Sequence, residues 1–148
     1  MRLHLPEMHS GNIKMDPDCL ISPQLQEGEF LRSEEGRRSS AFVINPPYAS
    51  HKLPNTYRCE ATNLGVILWF TSGTLSAVDL FIPSPGAGWD SWSEDDELAK
   101  AAELEALLTR TYGAQRSFEW GTIRASFDAR SGSSSITIRY SLGERGRS

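Results

Sequence analysis

The clearest pattern along the chain is a pair of apolar runs, "GVILWFTSGTLSAVDLFIP", from Gly65 to Pro83. They are rich in β-branched and aromatic residues and flank Ser72-Gly73, a dipeptide suited to a tight hairpin turn. Pairing Thr71 with Thr74 sets Phe70 opposite Leu75, Leu68 opposite Ala77 and Ile67 opposite Val78. Both faces of this hairpin are then largely apolar. That predicts a position in the middle of a sheet, covered on both sides, with Trp69 in the core.

A second hairpin is predicted from "FEWGTIRASFD" (Phe118–Asp128) and "SSSITIRYS" (Ser133–Ser141), joined by "ARSG". If Asp128 faces Ser133, then Ala125 faces Ile136, Ile123 faces Ile138 and Gly121 faces Tyr140. One face is then apolar. The other carries Trp120, Thr122, Arg124, Ser126, Ser135, Thr137 and Arg139. A slip of one residue would mix the two sets, so the pattern selects this register.

Between the hairpins the period changes from two to 3.6. From about Glu94 to Tyr112, the residues Leu98, Ala101, Leu104, Leu108 and Tyr112 share one side of a helix, with Leu107 at its edge. Ser93 is placed to cap its start and Gly113 to end it. "PSPGAG", Pro83–Gly88, is a breaker-rich loop ahead of it. Shorter signals precede the first hairpin. "AFVI", Ala41–Ile44, is a strand stopped by "NPPY", and "TYRCEAT", Thr56–Thr62, alternates like a half-buried strand. Residues 1–40 are an irregular polar segment, 41–142 a single domain and 143–148 a flexible tail. This order predicts an α+β fold: an antiparallel sheet of about five strands, including two hairpins, with one long helix across one face.

Composition narrows the function classes. The chain has 148 residues and a net charge of −4, so a phosphate backbone is disfavoured as a partner. No apolar run is long enough to span a membrane, and the polar start is unlike a signal peptide. The expected location is cytoplasmic, where Cys19 and Cys59 are two reduced thiols.

"GWDSWSEDDE", Gly88–Glu97, sets Trp89 and Trp92 beside five carboxylates. Ser93 as N-cap explains the acids of the first turn better than a metal cup, because carboxylates there are favoured by the helix dipole. Trp92 can staple the helix start. Glu94 and Glu97 do not fit so simply. They lie on the apolar side of the helix, and Arg124 or Arg139 are candidate partners for them. Trp120 either anchors a protein contact on the open sheet face or is covered by the N-terminal forty residues. His4, His9 and His51 lie outside the predicted core, and a Cys59–His51 dyad would use a thiol on an apolar phase. No catalytic residue, metal ligand or cofactor motif is assigned.

Two stretches, "GWDSWSEDDELAKAAELEALLTRTYG" and "FEWGTIRASFDARSGSSSITIRY", together resemble small bacterial α+β proteins. The W-x-x-W-S-E helix start and the W-G-T-I…D-x-R-S-G-S-S-S-I-x-I-R-Y hairpin carry the resemblance, over about the last sixty residues. Some similar small acidic chains are immunity proteins of secreted toxins. The resemblance implies a cytosolic, non-catalytic protein-binding domain that blocks a toxin partner, and it brings no catalytic residues. An acidic surface suits a basic partner such as a nuclease. The candidate partner-binding residues are Trp120, Arg124 and Arg139 on the open face, with Trp89, Glu94 and Glu97 at the helix start. The alternative is a small-ligand-binding protein or minor enzyme with a pocket between the helix and the N-terminal segment.

Overall fold

The structure, a computed structural model, describes residues 1–16, 19–83, 93–129 and 132–141. Trp89, Trp92, the loop from 84 to 88 and the tail 143–148 lie outside the described residues. The N-terminal segment opens with a two-stranded ribbon, β1 (Ile13–Met15) and β2 (Cys19–Ile21), followed by helices α1 (Glu27–Arg32) and α2 (Glu34–Arg38). The main sheet is built from β3 (Ser40–Asn45), β4 (Tyr48–Lys52), β5 (Tyr57–Cys59), β6 (Thr62–Thr71), β7 (Thr74–Phe81), β8 (Ser117–Phe118), β9 (Gly121–Asp128) and β10 (Ser133–Tyr140). Helix α3 (Glu94–Tyr112) connects β7 to β8. The strand order is β3-β4-β6-β7-β10-β9-β8, with β5 on β6 beyond the end of β4, and every pairing is antiparallel.

The α+β class, the antiparallel sheet and the single long helix agree with the sequence pattern. The strand number does not: among the described residues the sheet has eight strands rather than about five. Two strands carry almost no periodic signal. In β4, "YASHK" has few β-formers, and β8 is only two residues long. "TYRCEAT" is not one strand. It ends at Cys59 and turns at Glu60, whose φ is +55°.

The second hairpin has the register its alternation demands, Asp128 opposite Ser133 through Gly121 opposite Tyr140. The first hairpin departs from simple pairing. Thr71 faces Thr74 and Phe70 faces Leu75, but then the register shifts, and Leu68 meets Val78 and Ile67 meets Asp79. Ser76 is the extra residue, its hydroxyl donating to the Trp69 carbonyl (3.1 Å) and accepting from Thr71 (2.8 Å). The bulge is what brings Leu75, Val78 and Leu80 onto one face; without it, Val78 and Leu80 would point away from Leu75.

All residues of the main core lie on or over that inner face. One inner row runs His51–Leu68–Val78–Ile138–Ile123 across five strands. Helix α3 packs beneath β9 and β10 with Leu104, Leu107 and Leu108, all fully buried. Leu98 is exposed, against expectation, and Glu97 takes the inward position one residue earlier. The other half of the face is covered by the first forty residues, which supply Leu3, Leu5, Ile13, Met15, Ile21 and Phe30 to the core. Among the described residues no helix is long and apolar enough to cross a membrane.

Two phenols pin this cover to the sheet. Tyr112 donates to the Pro6 carbonyl (2.6 Å) and Tyr140 to the Gly11 carbonyl (2.9 Å). Burial raises the Tyr112 phenol, and desolvation first, then the Cys19 and Glu35 charges, push Tyr57 up to about 12. A raised pKa means that the fold favours the neutral phenol. Its contribution is complete below pH about 10, the ordinary tyrosine value, and is lost as pH rises through the folded value. Unfolding is therefore expected to set in between pH 10 and 12, with far-UV circular dichroism and phenolate absorbance changing together. Phenolate absorbance that rose fully while the dichroism stayed native would contradict it.

Candidate functional site: the outer sheet face

The outer face of the sheet is the surface where sequence and structure bring chemistry together. One row across it reads Val43–Ser50–Trp69–Ala77–Arg139–Thr122. The next reads Lys52–Ile67–Asp79–Thr137–Arg124. Ile67 is buried, yet it stands outside the core cluster because it faces the other way.

Asp79 organises the middle of this face. One carboxylate oxygen accepts from the Trp69 indole N–H (2.9 Å) and the other from the Thr137 hydroxyl (3.0 Å). Trp69 is thereby fixed in orientation while remaining half-buried. That corrects its placement in the core: the sheet is covered by the main core on one side only. The Lys52 ammonium lies over the Phe81 ring, 5.3 Å from its centroid. Arg124 and Arg139 are exposed diagonal neighbours on β9 and β10, and neither meets a carboxylate among the described residues.

Trp120 is not part of this face. It is 4% exposed, stacked on Phe118 at 5.0 Å, and donates from Nε1 to the Met8 carbonyl (3.0 Å). The strand alternation that would set it beside Arg124 stops short of it, because Glu119 and Trp120 form the turn between β8 and β9. Reversal of the chain throws the indole inward under the N-terminal segment.

At the helix start the capping expectation stands. Ser93 Oγ accepts from the Asp96 N–H (3.3 Å). Glu94 is exposed. Glu97 is buried, but its carboxylate meets neither Arg124 nor Arg139. One oxygen accepts from the Ser134 N–H (3.1 Å) and the other from Lys100 (2.9 Å), while the Ser134 hydroxyl donates to the Glu97 carbonyl. Glu97 is a strut between α3 and β10, so its buried carboxylate is not open to a partner.

Two sites were not legible as such. His51 is buried on β4 rather than set in a loop; its Nε2 meets Glu27 Oε2 at 2.7 Å, and its ring forms a three-way cluster with Phe30 and Phe70. The motif that hid it is "YASHK", whose inward positions are Ala49 and His51. The second is a cleft of about 320 Å³ between the N-terminal segment and the end of α3. Arg2, His4, Arg58, Glu60 and Thr111 line it, with Cys59 at its wall. Glu60 is engaged by Arg110 (3.0 Å), and burial raises the Cys59 thiol, which keeps it protonated and unreactive. Cys19 and Cys59 are not joined in a disulfide.

No protein-family model, curated protein or solved structure matches the chain.

Proposed function

We propose that the protein is a non-catalytic protein-binding domain that receives its partner on the outer sheet face. The observation that carries this reading is the grouping of exposed Arg124 and Arg139 with half-buried Trp69, held by Asp79, on a face that the core does not use. Arginine and tryptophan are the residue types that most often dominate binding energy at interfaces. A rigid indole loses little entropy on docking, and two guanidinium groups that meet no carboxylate among the described residues favour carboxylates on the surface that meets them.

The immunity role, inhibition of a cognate toxin, extends this reading through the resemblance of the last sixty residues. The net charge of −4 would draw a basic toxin domain toward the protein as a whole. The small-ligand alternative ranks second. It is supported by the cleft between the N-terminal segment and α3, whose walls are mostly exposed side chains with a protonated thiol beside them.

The test is retention of a partner from the organism that encodes the chain, or rescue from a toxic product encoded beside its gene. The double variant Arg124→Glu/Arg139→Glu is expected to weaken the complex by at least about tenfold, a loss of roughly 1.4 kcal/mol. Its unfolding free energy should stay within about 0.5 kcal/mol of wild type, because both side chains are exposed. Undiminished binding by this variant would remove the outer face from consideration.

A further inference from the structure

We propose that the cleft between the N-terminal segment and the end of α3 binds a small phosphate monoester, gripped by Arg2 and Arg58. This is the cleft that supports the small-ligand alternative, and the inference gives that alternative a ligand class. It does not depend on the outer face, where Arg124 and Arg139 lie on β9 and β10, so either reading can fail without the other.

The start of the chain runs parallel beside β5. Leu3 donates to the Arg58 carbonyl (3.0 Å) and Arg58 to the Met1 carbonyl (2.8 Å), which makes Arg2 and Arg58 a bridged pair. Bridged residues sit on neighbouring strands about 4.8 Å apart, with their side chains on one face. Both side chains are exposed and both line the cleft. Neither meets a carboxylate among the described residues. Asp16 donates its backbone N–H to the Arg2 carbonyl from the other side, yet forms no ion pair with the guanidinium. Like charges opposed across neighbouring strands repel. Two guanidinium groups held side by side in a chain of net charge −4 are therefore a cost to the fold that an anion between them removes.

The rest of the cleft fits an oxyanion carried on a small polar body. Guanidinium forks match phosphate oxygens two at a time. His4, exposed two residues after Arg2, has an imidazole that can donate to a further oxygen whether neutral or charged. Glu60 is the one carboxylate among the lining residues, and Arg110 engages it at 3.0 Å. Burial first, then the Glu60 charge, raises the Cys59 thiol, so that wall is uncharged and does not repel an anion. The Thr111 hydroxyl donates to the Leu107 carbonyl (2.9 Å), which leaves its oxygen to accept from a ligand hydroxyl. At about 320 Å³ the cleft lies at the lower end of small-molecule sites, with room beyond a phosphate group. The two arginines are not needed to close the helix, because Arg116 already donates to the Gly113 and Gln115 carbonyls at the end of α3.

The test uses the full chain in phosphate-free buffer, with inorganic phosphate, glycerol phosphate and glycerol as probes. Titrations followed by amide NMR are expected to show both phosphates binding, glycerol phosphate more tightly, and glycerol not at all. The shifts should concentrate at residues 2–5 and 58–60, the cleft walls. Arg2→Gln/Arg58→Gln is expected to weaken glycerol phosphate by at least about tenfold. Arg32→Gln/Arg38→Gln removes the same charge from exposed positions outside the cleft and should stay within about twofold of wild type. Without ligand, the Arg2→Gln/Arg58→Gln chain should melt no lower than wild type, because it relieves a repulsion. On addition of glycerol phosphate, its melting temperature should rise less than that of wild type. The wild-type shift map stands as a test whatever the stability of the variants. Absence of shifts at the cleft, or shifts spread over the other basic residues, overturns the proposal. So does equal weakening by the two double variants, or undiminished binding by Arg2→Gln/Arg58→Gln. Equal affinity for inorganic phosphate overturns the monoester as the ligand.

Discussion

Replacing Gly121 by alanine is expected to destabilise the fold by about 3 kcal/mol and to lower the melting temperature by roughly 10 °C. Gly121 has φ +149°, a backbone region that L side chains rarely adopt. A Cβ there would stand 1.8 Å from the Arg139 carbonyl oxygen and 3.0 Å from the Tyr140 Cα. Both obstacles are backbone of the paired strand β10, so no side-chain rotation relieves them. The consequence follows from where Gly121 sits. It is the first residue of β9, directly after the turn that sends Trp120 inward, and it pairs with Tyr140. Tyr140 and Trp120 both hold the N-terminal segment, through Gly11 and Met8. Strand separation at this point therefore loosens the cover of the core as well as one hairpin end. Gly113 gives the control. Its φ is +67°, but nothing lies within 4 Å of its Cβ position, so Gly113→Ala is expected to cost only about 1 kcal/mol. Equal losses at the two positions, measured by urea unfolding, would show that backbone conformation alone sets the cost and that the contact with β10 does not.

What the sequence made legible follows the strength of local periodicity. The β9–β10 hairpin was readable residue by residue because its two faces differ sharply, with Ala125, Ile123, Ile136 and Ile138 on one side and Arg124, Thr137 and Arg139 on the other. The β6–β7 hairpin was readable in its turn and not beyond Leu75. A bulge at Ser76 inverts the alternation, held by the hydroxyl contacts of Ser76 and by the burial of Val78 and Leu80 beside Leu75, and no simple period encodes it. Of the two readings of Trp120, cover by the N-terminal segment holds and the open-face anchor does not, because strand alternation begins at Gly121 and Trp120 belongs to the turn before it. Arg124 and Arg139 were placed correctly on the open face, while Trp69, Asp79 and Lys52, which complete it, were hidden. Trp69 and Asp79 come together across the β6–β7 bulge that simple pairing leaves out, and Lys52 comes from β4, whose pattern is weak. The single aspartate inside the apolar run of β7 is the signal in the sequence that marks the exposed side of that strand. The N-terminal forty residues looked like a covering of little structure because their apolar residues are short, scattered runs. Their order comes from docking, with Leu3 N–H on the Arg58 carbonyl and the Arg2–Arg58 bridge, rather than from local propensity.

Glu97→Ala is expected to cost about 3 kcal/mol, whereas Glu94→Ala, three residues earlier on the same helix, should fall within about 0.5 kcal/mol of wild type. Both glutamates share the capped first turn and the same chemistry, so the difference isolates burial and partners. Glu94 is exposed. The Glu97 carboxylate is about nine-tenths buried and has two partners, the Ser134 N–H at the start of β10 and Lys100 one turn along α3. Truncation leaves the buried Ser134 amide without its acceptor and removes the carboxylate that neutralises Lys100, the situation in which lost partners cost most. Glu97→Gln separates the two effects. Its amide oxygen can still accept from Ser134, so a loss of about 1 kcal/mol is expected, attributable to the charge. Partner binding supplies a second, independent readout. Because both carboxylate oxygens are engaged inside the fold, Glu97→Gln should leave affinity for any partner on the outer face unchanged, while Arg139→Glu should not. If Glu97→Gln weakened a partner while retaining full stability, Glu97 would return from the framework to the site, and the helix start would have to be treated as part of the binding surface.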